Sequence, residues 1–273
     1  MNIALVAIAK DEELYIQEWL EYYRKLGVNR FFIFDNNELG NDKLEHLLKY
    51  EKDLILIDVR GRKKLEEMDF QHGIYKFAYE QFSSQFDYMG FFDIDEFLYL
   101  CDKTIPEWLN EHQEFNDTDI IKFNWLIYGD NEQLKYEPKP VQVRFTIPCH
   151  PLCCYRHDFP ESYHIKCLVK TGKKMINCNC HSFELENGIA KATDGQITDM
   201  LSNVYDKPFF KYGYVKHYVT KSIEEFVKKK CITPSDAEYK FPRRNEDWIR
   251  LFFSINEDTK EKRKILSSIL NKK

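Results

Sequence analysis

The sequence predicts an α/β fold, with a mostly parallel central sheet flanked by helices and followed by a helical C-terminal segment. Three observations carry this reading. Short, continuously apolar runs recur at 3–9, 30–34, 54–59 and 88–93, and stretches of helical period separate them. From about residue 118 the texture shifts to strands with longer loops, then returns to helices after Ser222. Continuous rather than alternating runs are what a parallel sheet covered on both faces requires, and the helices between them supply its crossovers.

Each element has a local reason. Ile3, Leu5, Val6 and Ile8 mark the first strand, 3–9. Tyr15, Trp19, Tyr22, Tyr23 and Leu26 then share one face of a helix. Asp11, Glu12 and Glu13 are expected in its first turn, where carboxylates favour the positive end of the helix dipole, and Gly27 is expected to cap its end. Arg30–Phe34 is the second strand and stops at the turn signal Asp35-Asn36-Asn37; a charged helix leads to the third, 54–59. A helix from about Asp69 to Gln85 precedes the fourth, Tyr88 to Asp93. Ile120–Phe123, Val141–Ile147 and Ile165–Val169 read as later strands, with no internal repeat and no clear linker.

Composition excludes several classes. The 273 residues hold 45 Asp and Glu against 40 Lys and Arg, a net charge of −5, which argues against a surface built to grip nucleic acid. At 43 % hydrophobic residues, with 10 Gly and 9 Pro, the chain is not of the disordered or low-complexity kind. A chain this long buries roughly three quarters of its unfolded surface, enough for one large domain with an appendage. No run approaches the ~20 apolar residues that span a bilayer. The short N-terminal apolar stretch meets Asp11-Glu12-Glu13 and is not preceded by basic charge, unlike a signal peptide. A cytoplasmic location is therefore expected, with the eight cysteines mostly held as thiols. The 17 Tyr and 21 Phe signal a bulky core and are compatible with surfaces that stack on carbohydrate.

Ligands of open parallel sheets bind beyond the carboxyl ends of the strands. Those ends carry Ala9-Lys10, Asp35-Asn36, Arg60 and Asp93-Ile94-Asp95, groups suited to a nucleotide, phosphates and a metal. The strongest signal is Phe91-Phe92-Asp93-Ile94-Asp95-Glu96-Phe97-Leu98, where carboxylates cluster at the end of an apolar strand. Asp93 and Asp95, at i and i+2, can share a divalent cation, and hard oxygen ligands suit Mn2+ or Mg2+. Such a cation neutralises the charge that develops when a nucleoside diphosphate leaves a sugar.

Four blocks carry a family resemblance. Lys10 to Val28 with Phe31-Phe-Ile-Phe-Asp-Asn36, then Phe92-Asp-Ile-Asp-Glu-Phe97, resemble the GT-A glycosyltransferases of the family-two-like and family-ninety-two-like (DUF23-related) groups. Phe123-Asn-Trp-Leu-Ile-Tyr-Gly129 and Lys216-His-Tyr-Val-Thr-Lys-Ser-Ile-Glu-Glu-Phe226 are similar to their later segments. The resemblance implies a Rossmann-like GT-A domain over 1–220, its half 1–100 binding a nucleotide sugar and its half 101–220 the acceptor, with 221–273 a helical segment packed on it. It further implies transfer of a sugar from a nucleotide-sugar donor, UDP-linked by expectation, with a divalent metal. Asp93, Asp95 and His217 would be the metal set, Asp95 the better ligand and Asp93 nearer the ribose. Ile8, Ala9, Asp35, Asn36 and Ile94 would line the nucleoside, and Lys10, Gln71 and Lys166 would approach the donor's diphosphate or sugar.

An inverting transfer also needs a carboxylate to deprotonate the acceptor, and Asp130 and Glu132 after Gly129 are the expected bases. Lys10 competes as a surface ion-pair partner, Arg60 and Arg62 as solvated groups, and Ser222 with Glu225 as a capping box. Six cysteines fall between Cys149 and Cys180, among His150, His157, His164 and His181, yet Cys178-Asn-Cys180-His181 and Cys149 with Cys153-Cys154 lack zinc-knuckle spacing. Buried thiols are the default there, with His181 a possible substrate or metal contact. Lys260, Lys262, Arg263, Lys264, Lys272 and Lys273 flank the apolar stripe Ile265, Leu266, Ile269 and Leu270. Such a helix suits peripheral contact with the inner face of an anionic membrane, or packing on the main body. The expected partners are a nucleotide-sugar donor and a saccharide or lipid-linked saccharide acceptor, as in bacterial surface polysaccharide synthesis. Two other readings compete: a nucleotidyl- or phosphoryl-transfer enzyme on the same sheet, and a non-catalytic module organised by zinc.

Overall fold

The computed structural model describes residues 1–61, 70–151, 160–232 and 244–271. Arg62, Cys153, Cys154, His157, Lys272 and Lys273 lie outside those residues, as does the expected helix start at Asp69. The first half alternates as expected: β1 (Ile3–Ala9), α1 (Ile16–Lys25), β2 (Arg30–Asp35), α2 (Lys43–Leu48), β3 (Leu54–Asp58), α3 (Phe70–Phe82) and β4 (Tyr88–Phe91). There follow β5 (Glu96–Tyr99), α4 (Ile105–Glu111), β6 (Ile120–Ile127), α5 (Val141–Arg144), β7 (Ile165–Lys170), β8 (Met175–Cys178), β9 (Phe183–Leu185), β10 (Ala190–Ala192) and β11 (Tyr214–His217). The chain closes with α6 (Ile223–Phe226), a wide turn over Val227–Ile232, α7 (Asn245–Ile255) and α8 (Lys260–Leu270).

The nine-stranded sheet runs β3-β2-β1-β4-β7-β6-β11-β5, with β10 also paired to the start of β6. Strands β3, β2, β1 and β4 are parallel, so their carboxyl ends share one edge; β7 runs antiparallel to both β4 and β6. Burial follows the apolar runs, since β1 and β2 are almost wholly buried while the edge strand β3 keeps Ile55 exposed. Helix α1 contributes Trp19 and Tyr23 to the core, and α3 contributes Ile74, Tyr75, Ala78 and Tyr79 opposite Phe91 and Phe183. At Gly90, paired with Leu5, a Cβ would lie 2.5 Å from the Leu5 side chain, so β4 can seat against β1 only with glycine there.

Two expectations about local structure are corrected. Helix α1 begins at Ile16, not among Asp11–Glu13, and the acid in its first turn is Glu18. The Asp11 N–H donates to Asn37 Oδ1 and Asp11 has φ +54°, so the chain is tied to the end of β2 before the helix starts. Val141–Ile147 is not a strand. Pro140 caps one helical turn, α5, and Arg144 is drawn inward to a bidentate pair with Glu225, 2.9 Å at its first contact. That buried pair overrides the alternating pattern.

The chain forms two compact units, Met1–Trp125 with Tyr163–Val215, and Leu126–Ser162 with Lys216–Lys273. This division differs from the expected boundary near 220, because residues 126–162 join the C-terminal segment. In the second unit the Ser222 hydroxyl accepts from the Glu225 N–H while the Glu225 carboxylate accepts from the Ser222 N–H, the capping box read from the sequence. Lys262, 2 % exposed, lies 2.7 Å from Asp130 and also donates to the Glu257 carbonyl. The basic face of α8 is thus smaller than its composition suggests: Lys262 is turned inward, Arg263 pairs with Asp258, and Lys260 and Lys264 are exposed. Leu266 is buried and Ile265, Ile269 and Leu270 are half-buried, so the stripe packs within the unit. Among the described residues no helix is long and apolar enough to cross a membrane.

Removing one member of a buried ion pair strands the other, at a cost of about 3–5 kcal/mol. Lys262→Met is therefore expected to lower stability by that amount in urea unfolding, and Asp130→Asn combined with it to recover part of the loss. A second expectation concerns Lys122 on β6, whose buried ammonium donates to the Asp199 and Ser202 carbonyls at 2.6 and 2.8 Å, with burial pushing its pKa down to about 8. Between about pH 8 and the ordinary lysine pKa near 10.4, the unfolded chain holds a proton that the folded chain has lost, so stability should rise with pH across that window. Below pH 8 the penalty is fully present. Urea titrations of wild type and Lys122→Met at pH 7.5 and 10 check it, because the gain, up to about 3 kcal/mol, should be absent in the variant.

Candidate functional site

The parallel strands deliver their carboxyl ends to one edge, and the most heavily braced element there is the turn Asp93–Glu96 between β4 and β5. Glu96, 0 % exposed, folds back so that its Oε2 accepts the Asp93 N–H at 2.9 Å. From α1, the Trp19 indole N–H is shared between the Asp93 and Glu96 carbonyls at 3.0 and 3.1 Å, and the Tyr23 hydroxyl donates to the Glu96 carbonyl. From α3, the Gln71 amide and the Tyr75 hydroxyl donate to Asp93 Oδ1 at 3.2 and 3.3 Å. From β7, the Lys166 ammonium lies 3.2 Å from Asp93 Oδ2 and 3.4 Å from Glu96 Oε2, and donates to the Cys180 carbonyl at 3.1 Å.

The electrostatics follow from burial. Desolvation raises the Glu96 carboxyl well above its ordinary range, and Lys166 opposes that rise. Burial works against the Lys166 charge as well, but two facing carboxylates, Asp93 and Glu96, outweigh it and hold the ammonium charged. Burial likewise raises Tyr23 and Tyr75, so both phenols stay protonated and able to donate.

A second cluster lies along the same edge, at the ends of β1, β2 and β3. Ile8 pairs with Phe34, and the Ala9 carbonyl accepts the Asn36 N–H at 2.9 Å. Asp35, 1 % exposed, takes the Asn37 N–H on Oδ1 and faces Arg60 across 3.9 Å with Oδ2; burial raises its pKa, with the Asn37 N–H and Arg60 opposing. Asn37, also 1 % exposed, accepts the Asp11 N–H but leaves its Nδ2 buried without a hydrogen-bond partner. Lys10 takes the ion-pair role, 3.1 Å from Glu38, and Arg60 pairs with Asp58.

Of the residues expected in the site, the structure gathers Gln71, Asp93 and Lys166 at one turn, which Ile94 shares as a buried side chain. It gathers Ile8, Ala9, Lys10, Asp35 and Asn36 at the neighbouring strand ends. Lys166 has a side chain only 1 % exposed and reaches the turn through Asp93 and Glu96. Asp95 is half-buried in the turn. His217 is buried at the end of β11 in the second unit, its carbonyl accepting the Tyr128 N–H. Asp130 lies 2.7 Å from the Lys262 ammonium, its N–H donates to Asn256 Oδ1 and its Oδ1 accepts the Glu132 N–H. Glu132 is exposed.

The fit to a divalent cation is uneven. Asp95 offers hard oxygens, whereas Asp93 has both oxygens engaged and an ammonium beside one of them. Among the described residues no three His, Cys, Asp or Glu side chains are grouped to hold an ion. Sequence reasoning missed Trp19, Tyr75, Glu96 and Asn37 as site residues. Tyr75 was within reach, since it stands four residues after Gln71 on the same helix face.

The model of glycosyltransferase family 92 matches residues 6–249. This chain belongs to that family. A family 92 protein of Oryza sativa subsp. japonica is 24 % identical over 272 residues, covering 94 % of this chain, and the match spans 43 % of that relative's length. Another, from Ricinus communis, is 33 % identical over 90 residues, 32 % of this chain and 14 % of the relative. Among solved structures, HddC from Yersinia pseudotuberculosis matches at a TM-score of 0.33 and 10 % identity, over 78 % of this chain and 76 % of that one. The galactosyltransferase LgtC with donor and acceptor sugar analogs matches at 0.26 and 13 %, over 61 % and 57 %. Scores this low leave the site of the family 92 chain to be read from its own residues.

Lys166 in this family 92 chain is expected to be the member of the turn least tolerant of change. Lys166→Met leaves the buried Glu96 carboxyl without its counter-charge and facing the part-exposed Asp93, and a loss of about 3 kcal/mol in urea unfolding is expected. Unchanged stability would show that the ammonium is not the counter-charge that holds the turn.

Proposed function

We propose that this chain is a GT-A glycosyltransferase that moves a sugar from a nucleotide-sugar donor, UDP-linked, to a hydroxyl of a saccharide or lipid-linked saccharide, with inversion at the anomeric carbon. The observation that carries the reading is the buried pair at the end of β2: the Asp35 carboxylate and the unsatisfied Asn37 amide, an acceptor and a donor on the edge where parallel sheets bind ligands. Buried polar groups are normally satisfied, and a nucleobase edge carries the complementary donor and acceptor. Family membership supports sugar transfer as the chemistry.

In this reading Ile8, Ala9 and Asn36 present backbone beside the nucleoside, and Asp93, fixed by Lys166, Gln71 and Tyr75, faces the ribose. Asp95 would hold Mn2+ or Mg2+, which supplies charge neutralisation for the departing diphosphate. The bracing of the turn from α1, α3 and β7 keeps the Asp95 backbone in one place, and positioning of this kind lowers the cost of reaching the transition state.

A thermal-shift screen of UDP, GDP, ADP and CDP with and without Mn2+ tests the reading, since a ligand that binds only the folded state raises Tm. UDP with Mn2+ is expected to give the largest shift, and Asp95→Asn to lose it while its ligand-free Tm stays within a few degrees of wild type. Product mass analysis then separates the chemistries: a lengthened saccharide with free nucleoside diphosphate supports glycosyl transfer. Pyrophosphate release, or a nucleotide-dependent shift that is full in excess EDTA, would overturn the reading or its metal.

A further inference from the structure

Inverting transfer needs an atom to take the acceptor's proton as its oxygen becomes a nucleophile, and Asp130, the carboxylate expected from the sequence, is committed to Lys262. A different group is linked to the braced turn through the Cys180 carbonyl and Lys166. Trp125 near the end of β6, His164 just before β7 and His181 just before β9 form a ring cluster, with centroids 4.9 Å apart for Trp125–His164, 5.2 Å for Trp125–His181 and 5.4 Å for His164–His181. His164 is 7 % exposed, whereas His181 is only part-buried.

His181 is held in a defined tautomer. Its Nδ1 lies 2.8 Å from the Ile165 carbonyl, and its backbone N–H donates to Asn179 Oδ1 at 2.8 Å. A carbonyl only accepts, so Nδ1 carries the proton and the lone pair of the neutral ring resides on Nε2. Orientation of an imidazole by a backbone carbonyl on one nitrogen, with the other nitrogen basic, is the arrangement of a general base. The backbone that carries the ring is tied to the turn, because the preceding carbonyl, that of Cys180, accepts from the same Lys166 ammonium that lies 3.2 Å from Asp93 Oδ2.

We propose that His181 is the catalytic base, an inference that rests on the sugar-transfer reading above. Nε2 takes the proton of the acceptor hydroxyl while that oxygen bonds to the anomeric carbon. The bond from the anomeric carbon to the diphosphate oxygen breaks, and its electron pair leaves with the nucleoside diphosphate. The imidazolium then gives its proton to solvent. Trp125 and His164 act as positioning residues that fix the plane of the ring.

The test compares wild type, His181→Ala and His181→Gln with the donor and acceptor that give transfer in the wild type. Both variants are expected to lose about 100-fold or more in kcat, the range for loss of a general base, and to keep the Tm shift given by UDP with Mn2+. Added imidazole should restore part of the turnover of His181→Ala, which a purely structural role would not allow. The Gln amide has no basic ring nitrogen, so near wild-type turnover in that variant would make His181 structural and overturn the proposal. Turnover of His181→Ala within threefold of wild type, or loss of its nucleotide shift in step with its activity, would overturn it too. Wild type that transfers no sugar from any donor would instead sink the sugar-transfer reading, and the base with it; active wild type with active variants would sink the base alone.

Discussion

One ammonium inside the first unit, that of Lys166, faces two carboxylates that stand three residues apart on a single turn. Taking Lys166 and Glu96 out of water costs several kcal/mol each, and the arrangement persists because the two face one another and the part-exposed Asp93, and because the Asp93 N–H and the Asp93 and Glu96 carbonyls are themselves bonded. The elements around the turn converge on the same two acidic residues. Helix α3 reaches the turn through Gln71 and Tyr75, α1 through Trp19 and Tyr23, and β7 through the lysine itself. Three elements far apart in sequence thereby agree on where Asp95 stands.

The same principle bears on what was legible beforehand. The four parallel strands lay within about two residues of where the apolar runs put them, because burial on both faces leaves little room for any other pattern. Strands β8, β9 and β10, at 4, 3 and 3 residues, are too short to leave a period, and β5 was hidden inside the carboxylate motif. Val141–Ile147 misled because Arg144 serves a partner 81 positions away. At the site, the D-x-D turn was visible as a local motif, but the partners that decide what its members do were not. Lys166 lies 73 positions from Asp93, a pairing that only the folded sheet brings about.

The strand-end cluster reveals a different economy. Asn37 holds a buried amide donor in a protein whose other interior amides are largely engaged, and the Asp35 carboxylate beside it sits uneasily in its desolvated pocket. Local departures from polar satisfaction tend to collect where a ligand completes the set. The strand end and the turn each keep such an atom, Asn37 Nδ2 at the first and Glu96 Oε1 at the second, along the edge where a ligand of the sheet would lie.

The second unit is assembled from two stretches of chain that are not contiguous, and its interior charge pair has one foot in each, Asp130 in 126–162 and Lys262 in 216–273. The final helices are consequently not a tail that can be trimmed. A stop codon placed at residue 220 would take away both the counter-ion of Asp130 and the Asn256 oxygen that receives its N–H. The carboxylate of Asp130 would be left in the interior of its unit without the cation that faces it.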